Sequence, residues 1–151
     1  MRPSVTTAAI LFTDMVGSTE WRARLGDERA DRLRKHHDEL VIGAVDHHRG
    51  EILRSTGDGV KAAFTTASDA VAAAVRVQRA IADYGARNDA VAPFEVRIGV
   101  SVGEVLVDDG DHHGMTVIEA ARLEAAARPG EILVTDMVRA LARRLDDVGF
   151  D

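Results

Sequence analysis

Apolar and polar positions along the chain change period several times, and each change predicts an element. Ala8-Ala9-Ile10-Leu11-Phe12-Thr13 is a short apolar run ending in polar turn residues, which predicts a buried strand. Gly17-Ser18-Thr19 offers helix-capping chemistry, and Trp21 and Leu25 lie four apart on the turn that follows. From near Asp27, Leu33, His37, Leu40, Val41, Ala44 and Val45 keep the i, i+3/i+4 rhythm of one buried helix face, until Gly50 stops it. Glu51 to Thr56 and Val60 to Phe64 are strand-like, and Asp58-Gly59 between them is the favoured type I′ hairpin pair.

Thr66-Ala67-Ser68-Asp69 is a capping-box-like start for a long helix with Ala70, Val71, Ala74, Val75, Gln78 and Ile81 on one side. Asn88 to Pro93 reads as a loop. Phe94 to Val102 alternates with period two and predicts a strand, with Glu104 to Val107 pairing beside it. Asp108 to Gly114 reads as an acidic loop and Thr116 to Ala127 as a helix broken by Pro129-Gly130. Glu131 to Val134 is a last strand, and Thr135 caps a final helix through Leu145. This order predicts an α+β sandwich, a mostly antiparallel sheet covered by helices.

Composition narrows the function. A chain of 151 residues with 46% apolar content suits a single domain, residues 1–151, with a real core. The net charge is −6, which argues against a general nucleic-acid or membrane-surface binder. The strands also lack the aromatic platform of a ferredoxin-like RNA binder. Cysteine is absent, which excludes disulfides, thiolate metal sites and cysteine nucleophiles. No apolar run approaches the roughly 20 residues of a membrane span, and the N-terminus does not read as a signal peptide. The expectation is a soluble, cytoplasmic protein.

Asp14 stands at the end of a buried strand, before a small-residue turn that opens a helix, and Asp58 stands at a hairpin tip. Alone, each is an ordinary capping or turn residue. Together they could hold two divalent cations on a polyphosphate, since such ions take one or two carboxylates plus phosphate oxygens. The amides of Val16, Gly17, Ser18 and Thr19, at a helix N-terminus, are natural donors to phosphate. The pairs His36-His37, His47-His48 and His112-His113 read as a solvated or partly buried polar face rather than a metal site; in the two helical pairs adjacent residues diverge by about 100° and do not chelate together. Trp21 and Tyr84 read as packing residues.

Four segments in order carry a more specific signal: Phe12 to Thr19, Ser55-Thr56-Gly57-Asp58-Gly59, Arg97 to Glu104, and Ala120-Ala121-Arg122-Leu123. From about residue 8 to 145 the chain resembles the class III nucleotidyl cyclase catalytic domain, most closely the small actinobacterial members. The resemblance implies a ferredoxin-like βαββαβ core. It implies that Asp14 and Asp58 bind two divalent cations, Mg²⁺ or Mn²⁺, with the Met15 carbonyl as a further ligand. Arg97 then matches a phosphate-binding arginine, Arg122 the transition-state arginine, and Asp111 the aspartate that accepts from the adenine amino group. The implied reaction converts ATP to 3′,5′-cyclic AMP and pyrophosphate in a homodimer with shared sites.

Two positions depart from that pattern. The place of the base-selecting lysine holds Arg54, which still donates hydrogen bonds and can reach adenine N1, though its planar fork is no geometric equivalent of an ammonium, and Lys61 lies past the turn, out of that register. The transition-state asparagine falls on Ile118, and losing one preorganised donor can cost roughly 10²–10³ in kcat. Weak catalysis is expected. The alternative is a degenerate, nucleotide-binding or dimerising module with a regulatory role.

Overall fold

The computed structural model describes residues 3–55, 59–87, 94–143 and 145–151. Among the described residues the elements are β1 (Ser4–Met15), α1 (Ser18–Leu25), α2 (Asp27–His47), β2 (Glu51–Ser55), β3 (Gly59–Phe64), α3 (Ala67–Arg87), β4 (Val96–Asp108), β5 (Asp111–His113), α4 (Met115–Ala126), β6 (Ile132–Val134) and α5 (Asp136–Ala142). The strands run in the order β2-β3-β1-β4-β5, with β6 parallel to β4 and every other pair antiparallel. The run β2-β3-β1-β4, with α1 and α2 between β1 and β2 and α3 between β3 and β4, is the expected ferredoxin-like α+β arrangement.

Helix starts follow the predicted chemistry. The Thr66 hydroxyl accepts from the Asp69 amide at 3.1 Å, and the Thr135 hydroxyl accepts from the Val138 amide at 3.2 Å. At the end of α2, Arg49 takes the left-handed conformation (φ 65°) instead of the expected Gly50. Gly50 is required for space: a Cβ there would lie 2.4 Å from the Phe64 ring and 2.7 Å from Val45.

The central hairpin region departs from expectation in two ways. The segment Glu104–Val107 is not a separate strand but the second half of a continuous β4, and it pairs with Ser4–Thr7, which lengthens β1 beyond the predicted Ala8–Thr13. Asp108 to Gly114 is not a loop. A tight turn at Asp109 and Gly110 (φ 49° and 77°) sends β5 back along Leu106–Asp108. Gly99 lies within β4, inside the predicted strand. The final helix is also shorter than predicted, ending at Ala142 before Leu145. The predicted turn residue Asp58 and the loop Asn88–Pro93 lie outside the described residues.

One sheet face carries the main core. Ala9, Leu11 and Met15 of β1, Val60, Ala62 and Phe64 of β3, and Val96, Ile98 and Val100 of β4 pack there with buried residues of α2, α3 and α5. Trp21 (6% exposed) joins this core, and its indole N–H donates to the Val16 carbonyl at 3.3 Å. The other face holds a smaller cluster of Ala8, Ile10, Ala63, Val105 and Ala120, covered by α4. Among the described residues no helix is long and apolar enough to cross a membrane.

Candidate active site

Strand alternation separates packing from chemistry. With Leu11 and Met15 committed to the main core, Phe12 and Asp14 face the α4 side, as do Lys61 on β3 and Arg97 and Gly99 on β4. Asp14 lies opposite Gly59 on one neighbour strand and opposite Arg97 on the other. A cavity of about 260 Å³ opens here, lined by Phe12, Asp14, Arg54, Lys61 and Glu124 among others.

Helix α4 reaches this face because β4 offers it glycines. A Cβ on Gly99 would lie 2.4 Å from both the Ala120 carbonyl oxygen and the Glu124 amide nitrogen, and one on Gly103 would lie 2.7 Å from the Thr116 hydroxyl. Thr116, Ala120 and Glu124 are four apart, so they form the seated stripe of the helix. Thr116 donates to the Glu104 carbonyl at 2.8 Å, and the Ser101 hydroxyl donates to the Thr116 carbonyl, which fixes the N-terminal turn. Ile118 (45% exposed) and Arg122 occupy the opposite, exposed side of the helix.

This seating presses Glu124 against Asp14. Burial first, then the charge of Asp14 and a hydrogen bond to it, raise the Glu124 carboxyl from its ordinary 4.5 to about 7, with Arg97 opposing the shift. Glu124 Oε1 and Arg97 Nε are buried without a hydrogen-bond partner. Two carboxyls that compete for one proton, with an unpartnered oxygen beside them, suit a hard cation that would let both ionise. Among the described residues no three His, Cys, Asp or Glu side chains converge into a complete metal cage. Backbone carbonyl, phosphate or Asp58 oxygens would therefore complete the set, and Asp58 lies outside the described residues.

The segment after β1 differs in part from the expected phosphate cradle. The Val16 amide already donates to the Glu95 carbonyl at 2.8 Å and is not available to a ligand. Gly17, in the left-handed conformation (φ 68°), is the N-cap of α1, and no side chain caps that helix. Ser18 and Thr19 begin α1, so their amides have no acceptor within the helix. Met15 is buried at the end of β1, opposite Val96.

Asp111 is engaged by a cation from β3. Lys61 reaches Asp111: its ammonium donates to Asp111 Oδ1 at 2.9 Å and to the His112 carbonyl at 2.9 Å. Asp111 Oδ1 also accepts from the His112 amide at 2.8 Å, and these contacts hold its carboxyl below the usual carboxylate range, the Lys61 hydrogen bond foremost. Arg54 is exposed, across the β2–β3 ladder from Lys61.

Glu124 and Lys61 are the two site residues that sequence reasoning missed or set aside. For Lys61 the signal was the strand itself, where a lone cation alternates with Val60, Ala62 and Phe64 and so faces the other side. For Glu124 it was the match of Gly99 and Gly103 on β4 to a four-residue stripe on α4. The paired histidines form no metal cluster among the described residues. His37 is fully buried with Nδ1 2.9 Å from Asp38 Oδ1, and Tyr84 stacks between His36 and Phe94.

Comparison with known proteins places this geometry in a family. Residues 2–150 match the family described as "Adenylate and Guanylate cyclase catalytic domain". A Rhizobium meliloti protein named "Putative adenylate cyclase 3" is 33% identical over 145 residues, covering 95% of this chain and 24% of that protein. An uncharacterized Mycobacterium tuberculosis protein is 33% identical over 135 residues, covering 88% of this chain and 44% of that one. The chain thus spans less than half the length of these curated relatives. Among solved structures, an adenylate/guanylate cyclase/hydrolase from Silicibacter pomeroyi superposes with a TM-score of 0.85 at 32% identity, covering 99% of this chain and 88% of that one. The adenylyl cyclase CyaB from P. aeruginosa shares the fold, with a TM-score of 0.85 at 22% identity over 96% of this chain and 84% of that one. With α4 seated on the β4 glycines over Asp14 and Arg97, this chain belongs to the adenylate and guanylate cyclase catalytic domain family.

Proposed function

We propose that the domain is an adenylate cyclase, converting ATP to 3′,5′-cyclic AMP and pyrophosphate in a homodimer with two shared sites. The observation that carries the adenine choice is Asp111. Its carboxyl is held ionised by Lys61 while its side chain remains 42% exposed. An ionised acceptor attracts the exocyclic amino group of adenine and repels the carbonyl that guanine presents at the same position.

In the reaction the ribose 3′-oxygen bonds to the α-phosphorus, the bond from that phosphorus to the bridging oxygen breaks, and pyrophosphate departs. The 3′-hydroxyl proton passes to solvent. Domains of this family use divalent metals; Asp14 and Asp58, with the Met15 carbonyl, would hold such ions, whose charge would lower the pKa of the 3′-hydroxyl and offset the negative charge of the leaving group. Asp14 is presented at the strand end with Glu124 beside it. Arg97, across the ladder from Asp14, adds positive charge on the same face for the phosphates. Gly17, Ser18 and Thr19 supply backbone donors at the start of α1. Arg122 is exposed on α4, turned away from the seated stripe, which suits reaching a nucleotide held by the partner chain.

A second reading rests on Ile118, which offers no hydrogen-bonding group on the exposed side of α4. In that reading the domain binds nucleotide or dimerises without turnover and serves as a regulatory module. A cyclic AMP assay with Mn²⁺, run beside calorimetric titration with ATP, separates the two. Turnover supports the cyclase, and binding without turnover supports the module.

A further inference from the structure

Lys61 is a buried cation whose role beyond lowering the Asp111 pKa is open. It is 4% exposed, on a strand whose remaining residues Val60 and Ala62 to Phe64 are apolar and buried. A buried ammonium is costly unless it is paired and hydrogen-bonded. Its partners are the Asp111 carboxylate and the His112 carbonyl, both on β5, 50 and 51 residues away in sequence. Strand β5, already paired with β4, is thereby also linked to β3 by this side chain. Arg54, directly across the ladder, is a like charge, so repulsion directs Lys61 toward β5 and leaves Arg54 to solvent.

The contacts distinguish the two oxygens of Asp111. Oδ1 accepts from Lys61 Nζ and from the His112 amide, at 2.9 and 2.8 Å. Two donors satisfy its in-plane lone pairs. Oδ2 lies 3.9 Å from His113 Nε2, beyond hydrogen-bond length. We infer that Lys61 is a specificity-positioning residue, which fixes Oδ1 of Asp111 inward so that Oδ2 alone is offered to an amino group on the nucleotide base. This inference rests on the reading of Asp111 as the base acceptor and adds what orients it.

The test is a double-mutant cycle on the full chain, reading calorimetric affinity for the α,β-methylene analogues of ATP and GTP. In D111N the side-chain oxygen can still accept from Lys61, so the new NH₂ points outward and donates to the guanine carbonyl. The ratio of ATP to GTP affinity should then fall by roughly 10-fold or more, the scale of one hydrogen bond to a charged group. In a K61M background only the His112 amide still holds the side-chain oxygen, so the amide flips more readily, and the same D111N change should move the ratio by less than about 3-fold. K61A, which also removes the donor, serves in place of K61M if circular dichroism shows the latter unfolded. An equal shift in both backgrounds overturns the positioning role of Lys61. No shift on D111N with Lys61 intact overturns the base-reading role of Asp111 itself, a different failure that the cycle separates.

Discussion

The carboxyls of Asp14, at the end of β1, and Glu124, on α4, share a hydrogen bond across the face of the sheet. They are 110 residues apart in sequence, and two glycines on β4 bring them together by letting α4 approach the strand. Arg97 stands on the same face, opposite Asp14 in the ladder, and moderates the repulsion. Each prediction below follows from this seating or from the residues it exposes.

The Asp14–Glu124 contact should make stability depend on pH. Glu124 titrates at about 7 in the fold against an ordinary 4.5. A carboxyl whose folded value is raised contributes stability that is full below the unfolded value and is lost as pH rises through the folded one. In metal-free protein, Tm should therefore fall between about pH 4.5 and 7, over and above other titrations. E124Q should flatten that slope. An unchanged Tm profile in E124Q would show that the two carboxyls do not interact as described.

Divalent cation should act at the same place. If Mn²⁺ lets both carboxyls ionise, it should raise Tm at pH 7 in proportion to RT ln(1 + [L]/Kd), about 2.7 kcal/mol at 100-fold excess over Kd. Chelation should reverse the rise. Asp14→Ala and Asp58→Ala should each abolish metal-dependent turnover with the fold retained, and Asp14→Ala should remove most of the Mn²⁺-induced shift. Full activity in either variant would remove the two-metal reading.

Gly99→Ala should be disruptive despite its small size. The added methyl would meet the backbone of α4 at Ala120 and Glu124, which cannot yield as a flexible side chain would. Overpacking of this kind costs about 1–3 kcal/mol, readable as a lower urea midpoint. Because the displaced helix also carries Arg122, kcat should fall with stability. A variant as stable and active as the parent would show that α4 does not sit as closely on β4.

Shared sites have a distinctive signature. Asp14→Ala chains and Arg122→Ala chains should each be inactive, and mixing them should restore activity, since one heterodimer site receives both wild-type residues. With random pairing about a quarter of the sites should recover. If no mixture regains turnover while the parent is active, the sites are not shared.

Much of the fold was legible because it is written in local periodicity. The α2 face from Leu33 to Val45, the alternation of Val96 to Val102 and the threonine caps at Thr66 and Thr135 each depend on neighbours a few residues away. The corrections concern pairing between distant segments. Nothing local tells Glu104–Val107 to continue β4 or Ser4–Thr7 to join β1, because each half-strand is stabilised only by the other. The turn at Asp109-Gly110 similarly depends on β5 finding Leu106–Asp108.

For the site, the sequence marked Asp14 by its place at a strand end, and Arg97, Asp111 and Arg122 through the resemblance that the ordered motifs carry. Only the tertiary structure decided their partners. It gave Asp14 a second carboxyl in Glu124, engaged the Val16 amide with Glu95, and brought Lys61 to Asp111. The physical reason is that charge and hydrogen bonding act through space over a few ångströms. Which groups come that close is set by strand register, by which face each residue occupies, and by how near a glycine lets a helix approach.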